Sequence, residues 1–260
     1  MKFTAVIPVK ADSSRLPGKN IKPFGNENLL TRKIRQVKTS NIADRIIVSS
    51  DSEEMLQMAR DMGVEAILRP KDLADESRPF SDFLDYIVEL IPEGHLIWAC
   101  ATSPFFDEYL MVQAKQEYLK ALNEGYDSLI AVYKFKHYMM DENGPLNYNL
   151  GLAHQNSQDL PPLDFFTNGV IMSPISSVVS WHYHYGKNAY RFVVDQKASI
   201  DIDTKYDYLA ALAWLNENKL MGGGIIAIEF RMLLFRIYML YWKRLVDENF
   251  RCYTGTIWIN

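Results

Sequence analysis

Three cations, Lys10, Arg15 and Lys19, and two hydroxyls, Ser13 and Ser14, fall within the short segment Ile7-Pro8-Val9-Lys10-Ala11-Asp12-Ser13-Ser14-Arg15-Leu16-Pro17-Gly18-Lys19-Asn20. Such residues can surround a triphosphate. An arginine grips two oxygens in a fork, each lysine acts as a point charge, and hydroxyls and backbone N–H groups complete the shell. Pro17-Gly18 keeps the backbone out of regular structure, and the glycine lets it approach a ligand closely. The segment matches neither GxxxxGK[ST] nor GxGxxG, and an ordinary basic surface loop is the alternative.

A second pattern, Asp201-Ile202-Asp203, places two carboxylates on one side of an extended segment. A hard cation such as Mg²⁺ takes one or two carboxylates and completes its shell with phosphates and water. Beside a cationic loop, such a pair would neutralise a departing pyrophosphate and orient an α-phosphate for in-line attack. The alternative is a helix N-cap ahead of Thr204.

Positioning these groups requires a scaffold, and the chain alternates strand and helix patterns. Strands are expected at 3–9, 45–49, 64–68, 95–100 and 127–133, with helices at about 28–38, 52–61, 80–90 and 107–123. Alternation of this kind predicts an α/β fold with a parallel sheet, whose ligands bind beyond the carboxyl ends of the strands, where the 10–20 loop lies. Asp51, three residues before Glu54, reads as the opening of a capped helix that the turn Met62-Gly63 closes. From about 135 to 187 the pattern loosens into Asn, Gly, Pro and aromatic residues, which suggests a lobe or hairpin excursion. A strand at 190–194 and a helix at about 205–219 follow.

At 260 residues and 48% hydrophobic content the chain can bury a sizeable core. A net charge of −4 and an isoelectric point near 5.8 argue against a nucleic-acid partner held by bulk electrostatics. Cys100 and Cys252 imply no disulfide framework, and the chain opens on a strand without a secretory signal, so a cytoplasmic location is expected. Beyond the break Met221-Gly222-Gly223-Gly224, residues 225–248 read as an apolar helix with Glu229, Arg236 and Lys243 seven residues apart. That helix is expected to pack on the body or on a second subunit, and its charge-free run 237–242 is far short of the roughly 20 residues that span a membrane.

Five motifs stand in the order seen in the acylneuraminate cytidylyltransferases, the CMP-sialic acid synthetases. They are Leu16-Pro17-Gly18-Lys19-Asn20, Leu68-Arg69-Pro70 with Leu73-Ala74, Thr102-Ser103-Pro104, Asn168-Gly169-Val170-Ile171, and Ser199-Ile200-Asp201-Ile202-Asp203-Thr204. The chain resembles that family from about residue 1 to 220, with 221–260 outside the resemblance, and its phosphate loop also looks like that of CMP-Kdo synthetases. The resemblance implies a Rossmann-like, mostly parallel sheet of nucleotide-diphospho-sugar transferase type, with a small dimerisation lobe at about 135–187. It also implies that CTP is coupled to an acidic keto-sugar with release of pyrophosphate, in a homodimer.

By the same resemblance, Lys10, Ser13, Arg15 and Lys19 bind the triphosphate, with Lys10 where the family usually has Arg, and Ser14 is a further substrate-binding candidate on the loop. Asn20 and Arg69 lie near ribose and base, Thr102, Ser103, Asn168 and Gly169 near the substrates, and Asp201 and Asp203 hold Mg²⁺. Two departures stand out: Cys100-Ala101 replaces the Gln-Pro that usually precedes Thr-Ser-Pro, and Phe105-Phe106 stands where an Arg is usual. The first puts the identity of the sugar acid in question. The second removes a cation; Lys134, Lys136 or Arg191 could meet a substrate carboxylate, although surface solubility is the favoured role for each. His182 and His184 read as packing or dimer surface, and Cys100 as a small buried thiol. A CMP-Kdo-type synthetase, a glycosyltransferase using the D-x-D, and a catalytically silent nucleotide-binding scaffold are the rival functions.

Overall fold

The computed structural model describes residues 1–75 and 77–216 of the chain. The apolar run Phe3–Pro8 forms β1, buried on both faces as a central parallel strand requires. The chain then makes a short ribbon, β2 (Pro23–Phe24) with β3 (Glu27–Asn28), and enters α1 (Leu29–Ser40). Asn28 and Thr31 start α1 with a reciprocal capping box. There follow β4 (Arg45–Ser50), α2 (Glu53–Asp61), β5 (Glu65–Leu68), α3 (Phe80–Glu89), β6 (His95–Trp98), α4 (Glu108–Asn123) and β7 (Ser128–Phe135). The excursion holds a two-residue ribbon, β8 (Met140–Asp141) with β9 (Gly144–Pro145). It returns through β10 (Leu163–Pro174), α5 (Ile175–Trp181), β11 (Ala189–Val194) and α6 (Lys205–Leu215).

Among the described residues, seven strands form one sheet in the order β11-β7-β10-β6-β1-β4-β5. The β1/β4, β1/β6, β4/β5 and β7/β11 pairs are parallel. Strand β10 runs antiparallel between β6 and β7. The alternating pattern therefore finds the mostly parallel α/β sheet, while β10 was hidden in the segment read as loosened. Its register shifts between Phe166 and Ile171, so Asn168 and Gly169 occupy an irregularity next to the carboxyl end of β6.

The helix α2 is capped by Ser52, whose Oγ accepts from Met55 N at 3.4 Å, and not by Asp51. Asp51 instead accepts the Ala11 N–H at 2.8 Å, which ties the end of β4 to the start of the cationic loop. The core lies between sheet and helices: Val6, Ile47, Leu96 and Ile171 meet Leu84 and Ile87 of α3, all at most 1% exposed. Met1–Ala211 forms one compact unit and Leu212–Asn260 another. The helix expected at 225–248 lies outside the described residues. Among those residues, no helix is long and apolar enough to cross a membrane.

Candidate active site

The loop after β1 turns at Gly18, whose φ of 62° lies in the left-handed region that glycine enters without strain, and continues as a single 3₁₀ turn over Lys19–Ile21. The buried Asn20 donates from Nδ2 to the Lys10 carbonyl at 3.1 Å and joins the two ends of the loop. This geometry delivers Lys19 and Arg15 to one carboxylate. Lys19 Nζ lies 2.7 Å from Asp203 Oδ1 and Arg15 Nη2 lies 3.0 Å from Asp203 Oδ2, although Lys19 and Asp203 are 184 residues apart.

The second aspartate is held differently. Asp201 Oδ2 accepts from Asn168 Nδ2 at 2.6 Å, while Oδ1 is buried without a hydrogen-bond partner. Ile202 between the two is fully buried, and its N–H donates to the Thr102 carbonyl at 2.8 Å. The Asp-Ile-Asp segment is thus pinned to the loop after β6. Neither aspartate is needed to cap α6. Thr204 Oγ1 accepts from Asp207 N at 3.3 Å and Asp207 Oδ2 accepts from Thr204 N at 2.7 Å, so the helix start is satisfied by Thr204 and Asp207. A buried carboxylate oxygen without a donor is a costly feature that a cation at this position would relieve. The pair therefore fits a hard divalent ion that shares its shell with phosphate oxygens.

A cavity of about 490 Å³ opens beside these groups, and Lys10, Lys19, Asn20, Arg69, Thr102 and Asn168 line it. Arg69 is 4% exposed and donates to the Val9 carbonyl at 2.6 Å. Its guanidinium lies 4.4 Å from the centre of the Phe83 ring, and its Nε has no partner. Ser13 is buried within the loop and Ser14 is exposed on it, and neither lines the cavity. Ser103 is buried beneath the cavity and takes part through its carbonyl, described below. At Gly169 a Cβ would stand 2.5 Å from Cδ2 of Phe106, so the absence of a side chain there serves the packing of Phe106. Lys134 and Arg191 are both ion-paired to Asp164, and Lys136 donates to the Gln158 carbonyl at 3.0 Å. None of these three lines the cavity.

The cytidylyltransferase family model matches residues 4–220. The chain belongs to this family. It is similar to the pseudaminic acid cytidylyltransferase of Campylobacter jejuni, with 25% identity over 80% of this chain and 93% of that one. It is also similar to the N-acylneuraminate cytidylyltransferase of Escherichia coli, with 23% identity over 81% of this chain and 51% of that one. A CMP-2-keto-3-deoxy-manno-octonic acid synthetase solved with CTP shares the fold, with a TM-score of 0.64 and 14% identity over 84% of this chain and 100% of that one.

The cavity has further lining residues that motif reasoning passed over. Arg78 lines the cavity and pairs with Asp72 at 3.1 Å and Asp82 at 2.8 Å. Phe80, Phe83, Trp98, Phe166, Tyr183 and His184 supply its aromatic lining. Trp98 was recoverable, because it ends β6 and strand carboxyl ends face the ligand in such sheets. His184 does pack among aromatic rings as expected, and it also reaches the cavity. Burial holds its ring neutral, with a pKa lowered to about 4. His182 is exposed and lies 3.2 Å from Asp85. The Cys100 thiol is pushed up to about 12 by burial, with the charge of Asp201 adding to it, which leaves no thiolate for nucleophilic chemistry.

Lys33 is the largest omission. It is fully buried in α1 and donates to the Ser103 carbonyl at 2.8 Å and the Phe106 carbonyl at 2.9 Å. Arg32 Nε and Gln36 Nε2 both donate to the Pro104 carbonyl, at 3.1 and 2.9 Å. Three side chains of α1 thereby clamp the loop whose Thr102 carbonyl holds Ile202. Phe105 and Phe106 are both buried, the first against Phe24 and the second against Phe192.

Proposed function

We propose that the protein couples CTP to an acidic keto-sugar of the nonulosonate class, forming a CMP-sugar and pyrophosphate. The observation that carries this is the convergence of the 10–20 loop with Asp201 and Asp203, which contact the cavity-lining Lys19 and Asn168. When a triphosphate enters, Lys19 and Arg15 exchange their contacts with Asp203 for phosphate oxygens and Lys10 adds charge from the cavity lining. The anomeric hydroxyl of the sugar attacks the α-phosphorus in line. The new O–P bond forms as the bond to the β-phosphate oxygen breaks, pyrophosphate leaves with that electron pair, and the hydroxyl proton passes to solvent. Asp201 and Asp203 would hold Mg²⁺, which supplies charge neutralisation for the phosphates when bound. No covalent enzyme intermediate is required, and positioning with charge neutralisation supplies most of the acceleration.

A homodimer is part of the same proposal. The excursion between β7 and β10 leaves Met140, Leu146, Leu150 and Leu152 strongly exposed, which is apolar surface that a second copy would cover.

The test is pyrophosphate release from CTP, ATP, GTP and UTP with Mg²⁺ and a nonulosonate panel, run for the wild type and for Lys19→Ala. Release with CTP and a nonulosonate, lost by at least about 100-fold in the variant, is the expected result. A wild-type rate in Lys19→Ala removes the loop from the chemistry.

A further inference from the structure

The cavity changes character across the sheet. Its cations Lys10 and Lys19 come from the loop after β1, Arg69 from the end of β5, and Arg78 from the segment before α3. Over β6 and β10 the lining is Trp98 and Phe166, joined by Tyr183 and His184 from the segment after α5 and by Phe80 at the start of α3. These rings form one wall: Phe80 lies 5.8 Å from Trp98, 6.0 Å from Tyr183 and 5.0 Å from His184. Phe80 and Tyr183 each remain 40% exposed, although large apolar rings are usually covered. The rings carry no charge of their own near neutral pH, since burial holds His184 neutral, while Asp75 and Arg78 line the cavity beside Phe80 and Arg78 is paired with Asp72 and Asp82. Cys100 and Ala101 also line the cavity and add little hydrogen-bonding capacity.

Resting on the assignment of this site to CTP and a nonulosonate, we propose that the aromatic half receives the tail of the sugar acid and selects a deoxygenated, acylamino-substituted nonulosonate over one with a free glycerol tail. Hydroxyls set against these ring faces would give up water and would need to reach a partner such as His184 Nδ1, which has none of its own, a cost that methyl and acetyl groups avoid. Those groups instead meet ring faces and bury apolar area. Differences of one or two such groups in an apolar pocket translate into a preference of about 10- to 100-fold in kcat/KM.

The experiment compares kcat/KM for pyrophosphate release with CTP and three acids: N-acetylneuraminate, N,N′-diacetyllegionaminate, which keeps the same ring stereochemistry, and N,N′-diacetylpseudaminate. The expected result is at least a tenfold preference for one of the two deoxy, diacylamino acids over N-acetylneuraminate. The half-exposed Phe80→Ser variant should bring that ratio towards one while CTP affinity, measured by calorimetry, stays at the wild-type value. Equal or reversed preference in the wild type, or an unchanged ratio in Phe80→Ser, overturns the selection by the aromatic wall and leaves cytidylyl transfer standing. Release with none of the three acids, CTP binding intact, overturns the nonulosonate assignment itself.

Discussion

The two halves of the cavity are built in opposite ways. The cationic half takes Lys10 and Lys19 from one loop, on which Arg15 meets the same aspartate as Lys19, so most of its chemistry is written in ten consecutive residues. The aromatic half draws Phe80, Trp98, Phe166 and His184 from four separate elements, none of which is a motif by itself. Charge needs local density to act, since a triphosphate spans only a few residues of loop. An apolar wall needs area, which several elements must share.

The comparison can be broken most sharply at Asp201. Asp201→Asn keeps a group able to meet Asn168 but removes the carboxylate charge, and is expected to lower kcat by about 10²- to 10³-fold and weaken the Mg²⁺ dependence of the rate. Steady-state kinetics across a Mg²⁺ titration check this; an unchanged metal response would detach the cationic half from any cation.

A structural break is expected at Gly169. An alanine there would place Cβ 2.5 Å from the Phe106 ring, and overpacking of this sort costs about 1–3 kcal/mol, readable by urea denaturation. A smaller effect tests the clamp beneath both halves. Burial lowers the pKa of Lys33 from its ordinary 10.5 to about 7. Between those values the unfolded chain holds the proton that the folded chain has released, so unfolding takes up a proton and stability rises with pH. Lys33→Met should remove up to about 1.4 kcal/mol per pH unit of that rise, seen as a flatter stability profile from pH 7 upward. The smallest effect is expected from Cys100→Ser, which should leave kcat within about twofold because a protonated thiol contributes no nucleophile.

The same contrast explains what was legible in the sequence. Strand β1 and helices α1 to α4 were readable because their apolar residues recur with a clean period and end at turns such as Met62-Gly63. Strand β10 was not, because Asn168-Gly169 interrupts its pattern at the irregularity that brings Asn168 to Asp201. The functional demand spoils the periodic signal at that point. Asp51 was misassigned for a related reason: it has the residue type of a cap, but the neighbouring Ser52 caps the helix and leaves Asp51 to the loop. Lys33 did carry a signal. It falls on the apolar stripe of Leu29, Leu30, Ile34 and Val37, all buried, where a lysine has no place unless carbonyls await it. The aromatic wall carried none, since rings at Phe80, Tyr183 and His184 look the same in a sequence whether they fill a core or line a cavity.

The ion pairs from Lys19 and Arg15 to Asp203 give the site a property of its own. Both cations are already matched by a carboxylate, so the loop is self-screened. A small anion such as inorganic phosphate must compete with a tethered carboxylate and gains little by displacing it. A triphosphate can engage several loop donors at once and, with a cation, offers Asp203 a new partner. Salt bridges of this kind would favour a polyphosphate that carries a cation over a single phosphate.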